Sequence, residues 1–486
     1  MKNSKIHSIR YNFVMNFILT ASQFLFPLVT FPYVSRVLQA AGNGKVSFVA
    51  SVANYFMMIA SLGIPTYGVR ACAQVRDDKD KLSKTTQEIF LINIVTTILV
   101  MITYTICLIV VPKFQAEKEL FVINGINILL NMFGMNWLYQ ALEQYDYITV
   151  RSILIKILSV VLMFLLVHKQ EDYVIYGAIT VFAAVGSNIL NFIRINKYIN
   201  CKWYGKYKII YHMKPIMILF AQSLAVSIYT NLDTVMLGFM KSDADVGFYN
   251  TAVKIKTILL SLVTSLGNVL LPRMSYYAKK EMKNEFRDTM VKALHFTFLL
   301  SVPLVIYFVL YAEESISFLA GNGYAGAVLP MQIITIAVIP TGLTGVLGVQ
   351  VLTALEREKY VLYSVVTGAM VDLLLNIFFI PQYGAVGAAF ATMIAEFVVL
   401  LVQVVATRKI LQEVKRRLMP IRYLLLSIIS ASASLMIKKM DIHSTFIVLG
   451  LSAGAFFGVY SIGLLILREP IVLESVNSIW NKIKRN

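Results

Sequence analysis

Thr86–Val111 reads TQEIFLINIVTTILVMITYTICLIVV, and after Glu88 no charged side chain appears until Lys113. As a helix this stretch rises about 39 Å, enough to cross a hydrocarbon core of about 30 Å. Comparable stretches recur along the whole chain. Fourteen helical spans are predicted, at about 12–34, 44–64, 86–111, 120–141, 152–168, 173–193, 215–240, 246–271, 290–312, 325–354, 360–380, 383–407, 421–438 and 443–467. The composition agrees. Of 486 residues, 58% are hydrophobic and only 14% charged, with mean hydropathy +0.71. A soluble domain carries about 25% charged residues, so too few polar side chains exist here to cover a globular surface. The fold class is an all-α polytopic membrane protein with short loops and no room for a sizeable soluble domain.

The net charge of +18 raises nucleic acid as a partner, and the placement of that charge excludes it. Alternate loops sort the Lys and Arg residues into sets of 34 and 8, with Lys254 and Lys256 inside a span. Such asymmetry follows the positive-inside rule and places both termini in the cytoplasm. The first apolar stretch, Tyr11 to Val34, is too long for a signal-peptide core and reads as a retained span. Cys72, Cys107 and Cys201 have no metal-ligand spacing. Gly42-Asn43-Gly44-Lys45 lacks the spacing and the Ser/Thr of a phosphate-binding loop, and no His-Glu-x-x-His is present. Neither a nucleotide motor, a metal nor a cofactor is expected.

The longest basic connection, Arg194 to Lys214, follows six spans and reads as a hinge. Ser61-Leu62-Gly63 is matched by Ser265-Leu266-Gly267, and Gly177-Ala178 by Gly387-Ala388, which suggests a six-span repeat about an axis along the membrane normal. The expected organisation is an N-terminal lobe at 1–194, a cytoplasmic connection at 195–214, a second lobe at 215–420, an appended helix pair at 421–467 and a basic tail at 468–486. Such a body suits alternating access.

Ionisable groups inside spans are the informative residues, since each costs at least about 2.5 kcal/mol at a helix centre unless it meets a partner or water. Asp233 and Lys254 are expected at one depth in consecutive spans. They are either a structural pair, or Lys254 is a cavity cation for an anionic head group. Lys256, two residues on, points to nearly the opposite face. Asp372 and Glu396 fall mid-span, with Asn376 on the face of Asp372. Two carboxylates at one depth with no base nearby should share a proton, as in a proton- or sodium-coupling site. The alternative is a polar interhelical clamp. Glu143, Arg151 and Lys156 form a group between spans four and five; Lys156 by itself reads as a topology signal. Arg36, at the outer end of span one, breaks the positive-inside pattern. His295 reads as a satisfied polar contact.

Phe31-Pro32-Tyr33-Val34-Ser35-Arg36-Val37-Leu38 resembles the Pro-Tyr-x-x-Arg-x-Leu-Gly signature of bacterial oligosaccharide flippases. Asn136 to Glu143, followed by Tyr147 to Ser152, is similar to that family's fourth-to-fifth connection. Leu232 to Gly238 resembles its seventh span. Val246-Gly247-Phe248-Tyr249, Lys254-Ile255 and Leu271 to Ser275 resemble its eighth. Asn376, Ile380-Pro381, Gly384, Gly387-Ala388-Ala389 and Glu396 resemble the eleventh and twelfth. Gln39-Ala40 departs from the Leu-Gly-Pro usual after Arg36, and Asp372 stands where the family often has Asn.

The resemblance implies the multidrug/oligosaccharidyl-lipid/polysaccharide exporter superfamily. Its implied branch flips undecaprenyl-diphosphate-linked oligosaccharide repeat units to the outer leaflet of the bacterial cytoplasmic membrane, for capsule, O-antigen or exopolysaccharide. Substrate contacts are then expected at Arg36, Lys254, Asp233, Arg151 and Glu143, and ion coupling (H+ or Na+) at Asp372, Asn376 and Glu396. Membrane lipids, a polysaccharide polymerase and other assembly proteins are the candidate partners. A lipid II flippase and an organic-cation antiporter of the same superfamily are the alternatives. A membrane polymerase, an enzyme, would need a large external loop, and the longest external loops hold only about a dozen residues.

Overall fold

The computed structural model describes residues 9–473 apart from Leu266, Asp441 and His443. The basic residues of 1–8, Leu266 of the second Ser-Leu-Gly and the tail from 474 onward lie outside the described residues. Every regular element among those described is helical. By compactness the chain divides into residues 1–247 and 248–486.

The first unit contains α1 (Ile9–Ser61), α2 (Ile64–Gln74), α3 (Lys79–Val110), α4 (Pro112–Ala116), α5 (Lys118–Gly134), α6 (Asn136–Ala141), α7 (Tyr145–Leu166), α8 (Tyr173–Val185), α9 (Asn188–Arg194) and α10 (Ile209–Met240). The uncharged run after Glu88 lies in α3. Asp78 caps it, accepting from the Asp80 and Lys81 amides, and hydrogen bonds from Lys81 hold that carboxyl below the usual range. Pro112 lies just beyond its end and marks the start of α4.

The first two predicted spans form one helical run, because α1 is broken by a single residue rather than a loop. Val14–Gln74 is 61 residues long, about 90 Å as a straight helix, three times the apolar core. The break is Gln39, at φ 56 and ψ −178, a region in which essentially only glycine is at ease. Here the family signature carries Gly, so the departure noted in the sequence falls where the backbone most needs it. The Gln39 amide donates to Arg36 O at 2.6 Å, a carbonyl left open by the break, and Arg36 donates to Pro32 O one turn back at 2.7 Å. Gln39→Gly is expected to stabilise the protein by about 1 kcal/mol, visible as a raised Tm in detergent. An unchanged or lowered Tm would show that the side-chain bond outweighs the strain.

The connection at 195–214 is fastened to α3. After a short turn at Ile195–Lys197, Gln87 donates to Asn200 O at 3.0 Å and Tyr204 OH to Asp80 at 2.6 Å. Tyr207 OH donates to Gln87 at 2.7 Å and the Lys208 amide to Glu88 at 2.7 Å. His212 then bridges Glu88 at 2.9 Å and Tyr67 OH at 2.6 Å. All three of these side chains are buried. The stretch expected to be a hinge is thus pinned along its length, and α10 starts at Ile209, six residues earlier than predicted.

The second unit contains most of α11 (Asp243–Val263), then α12 (Gly267–Lys279), α13 (Lys283–Leu310), α14 (Ala312–Ala320), α15 (Val328–Ile336), α16 (Val338–Thr344), a π-helical turn at Gly345–Leu352, α17 (Glu358–Tyr383), α18 (Ala385–Val414), α19 (Pro420–Lys438) and α20 (Thr445–Ile466). Gly384, at φ 55, turns α17 into α18. The last pair packs on α13 through Tyr307, Tyr311 and Phe456. His295 is a satisfied polar contact, 2.8 Å from Tyr423 OH and 2.9 Å from Arg417 O. Twelve runs among the described residues are long and apolar enough to span a membrane. The double-length first run and α10, in which Ile209–Ala221 is an apolar stretch, bring the number of spans to about fourteen.

Candidate functional site

In the first unit, Arg36 is exposed beside the Gln39 break. Arg151 is buried, donating to Asn136 Oδ1 at 3.0 Å and Ser187 O at 3.3 Å. Asn136 also accepts from Asn191 at 3.0 Å, and Asn191 donates to Gly134 O. Arg151 thus fastens α7 to the α5–α6 junction and to the start of α9. Glu143 does not meet Arg151; it pairs with Arg76 at 2.6 Å and accepts from Asn12 at 3.2 Å. The expected Glu143–Arg151–Lys156 group is therefore three separate contacts.

Lys156 lies deeper in its span than expected. Its helix starts at Tyr145, not near 152, because Arg151 finds its partners inside the protein and does not have to mark the membrane surface. Lys156 therefore sits about 16 Å along the span. Its ammonium donates to Ser22 at 2.8 Å and faces a groove of 340 Å3 between α1, α7 and α8. Thr30, Ser159, Tyr176 and Thr180 add hydroxyls, and Gln23 an amide, to a largely apolar wall. No carboxylate lies within 4 Å of Lys156 among the described residues. Charge burial of that kind asks for an anion. The other end of the unit shows the opposite pattern. Lys45 and Lys113, exceptions to the charge rule, are neutralised by Glu117 at 2.6 Å and Asp243 at 2.8 Å. Asp233 is buried in α10.

In the second unit, Asp372 and Asn376 lie one turn apart on α17, both fully buried. Glu396, on α18, was expected to lack a base. Lys256 overturns that, with its ammonium 3.1 Å from Glu396 Oε1 and both side chains nearly buried. Tyr249 and Thr392 make a second contact between α11 and α18 at 3.0 Å. Lys254, partly buried on α11, is two residues from Lys256, an offset of about 200° around the helix. Nothing local in the sequence marked Lys256 as the partner of Glu396, which lies 140 positions away. The depth of Lys156 depends on a helix start at Tyr145, seven residues before the expected one.

The match to known proteins covers almost all of this frame. The model of the polysaccharide biosynthesis protein family matches residues 9–278, and the MatE model matches residues 219–378. A putative O-antigen transporter of Escherichia coli K12 is 24% identical over 82% of this chain and 96% of its own length. A probable flippase of Haloferax volcanii is 25% identical over 34% of this chain and 35% of its own. Among solved structures, lipid II flippase MurJ in an inward closed conformation superposes with TM-score 0.75 at 15% identity, covering 94% of this chain and 100% of its own. That likeness shows the fold, the two-lobed helical frame expected from the spans. More than half the chain matches one family model, and its relatives are transporters and flippases, so this multi-pass protein belongs to the polysaccharide biosynthesis protein family and is a membrane transporter rather than an enzyme.

Proposed function

We propose that this protein carries undecaprenyl-diphosphate-linked oligosaccharide repeat units from the cytoplasmic to the outer leaflet of a bacterial cytoplasmic membrane by alternating access. Capsule, O-antigen or exopolysaccharide synthesis is the destination. The observation that carries this reading is Lys156, a cation deep in a span with hydroxyls and no carboxylate around it, which suits a diphosphate crossing the bilayer. The near full-length relation to a putative O-antigen transporter supports the same substrate class. Arg36, Lys254 and Arg151 act as further cations for the substrate, and Asp233 and Glu143 as acidic contacts to it. Residues 1–194 and 215–420 are the two repeats, and both termini face the cytoplasm. Coupling to H+ or Na+ is assigned to Asp372, Asn376 and Glu396, with Lys256 as the counter-charge that a bound cation displaces. A polysaccharide polymerase receives the product.

Reconstitution into liposomes tests this, with a short undecaprenyl-diphosphate oligosaccharide, lipid II and a fluorescent organic cation as parallel substrates. The oligosaccharide lipid is expected to reach the opposite leaflet, and Lys254→Ala to abolish that movement at unchanged protein abundance. Movement of lipid II alone, or efflux of the cation alone, would reassign the substrate. Normal flipping by a well-expressed Lys254→Ala protein would remove Lys254 from the path.

A further inference from the structure

A groove of 570 Å3 lies at one end of α18 in the second unit. Its wall on α18 has a simple pattern. Leu401, Val405 and Arg408 follow one another at four- and three-residue intervals, and Val402, Ala406 and Lys409 repeat this one position on. Two apolar rows of one helix therefore each end in a cation. Across the groove stand Leu352 and Leu355, from the end of the π-helical turn and the loop after it, with Arg357 and Tyr360 beside them. Leu401 and Val405 are 62% and 58% exposed, so the apolar wall is open to lipid.

The positive-inside rule accounts for cations at this end of the span. It does not account for three of them around one apolar groove without acids. Two basic residues nearby are neutralised, Arg287 by Glu413 and Arg417 by Asp288 at 2.6 Å. No carboxylate lies within 4 Å of Arg357, Arg408 or Lys409 among the described residues. Glu356 and Glu358 flank Arg357 in sequence and do not line the groove.

We infer that this groove holds a resident anionic phospholipid, its phosphate between Arg357 and the Arg408–Lys409 pair. One acyl chain runs along Leu401 and Val405, about 10 Å of helix below Arg408, and Tyr360 stands at head-group level. None of the residues assigned to transport lines this groove, and the site does not depend on the substrate assigned above.

Native mass spectrometry of the delipidated full chain measures the site, with phosphatidylglycerol and phosphatidylcholine titrated in competition. A preference of at least five-fold for phosphatidylglycerol is expected. Arg357→Gln/Arg408→Gln/Lys409→Gln should abolish it. Val405→Trp, which fills the groove and keeps every charge, should weaken binding to the same degree. A control triple, Lys279→Gln/Lys280→Gln/Lys415→Gln, removes equal charge outside the groove and should keep the preference. Loss in the control as well, or no effect of Val405→Trp, would reduce the observation to general surface charge and overturn the site. Displacement of phosphatidylglycerol by equimolar undecaprenyl diphosphate would overturn the resident-lipid assignment in favour of the substrate.

Discussion

Glu396→Gln is expected to lose about 3–5 kcal/mol of stability, because it strands the Lys256 ammonium in a site built for an ion pair. Lys256 and Glu396 are only 12% and 6% exposed, 3.1 Å apart, and the lipid side of a span offers no water to take over. Lys256→Met should cost a comparable amount by leaving the carboxylate alone. The double variant Lys256→Met/Glu396→Gln should recover most of the loss, since replacing both members of a buried pair is often near neutral. Thermal unfolding in detergent of the four proteins gives the coupling directly. Additive losses would show that the two charges do not depend on each other. If the stable double variant still equilibrates lipid but no longer responds to a proton or sodium gradient, the coupling assignment stands on function as well as geometry.

Lys156→Met is expected to do the reverse: flipping falls at least ten-fold while the folded protein becomes more stable by about 1 kcal/mol. The lysine is held in its span by one hydroxyl contact, at 2.8 Å from Ser22, beside Phe26 and an apolar groove wall. Methionine is close to it in volume and removes the cost of the charge. A gain in stability with a loss of transport is the signature of a residue kept for function. Paired measurements of Tm and liposome flipping decide the matter. Destabilisation with proportionate loss of flipping would make Lys156 a structural residue and take away the main support for an anionic substrate in the first unit.

The resemblance in the sequence also located one structural detail that composition could not. A Gly in the signature position that Gln39 occupies here coincides with the positive φ of the break in α1. Backbone strain of that kind is written in residue type, so a sequence pattern can carry it. The pairing of Glu396 was not legible in the same way. Its partner lies 140 positions away, and no local spacing says which face of α11 meets α18. The start of the helix carrying Lys156 is hidden in the sequence for a related reason. Arg151 looks like a surface marker until its partners Asn136 and Ser187 are brought to it by other helices.

Apolar runs of more than twenty residues and the side of the membrane that gathers Lys and Arg are properties of single segments against lipid and water. The all-helical, many-span frame therefore follows from the sequence alone. Which buried charge meets which neighbour depends on the rotation of each helix about its axis, a matter of packing between segments distant in the chain. That packing pairs Lys256 with Glu396, ties the 195–214 connection to α3, and leaves Lys156 facing its groove with a hydroxyl beside it.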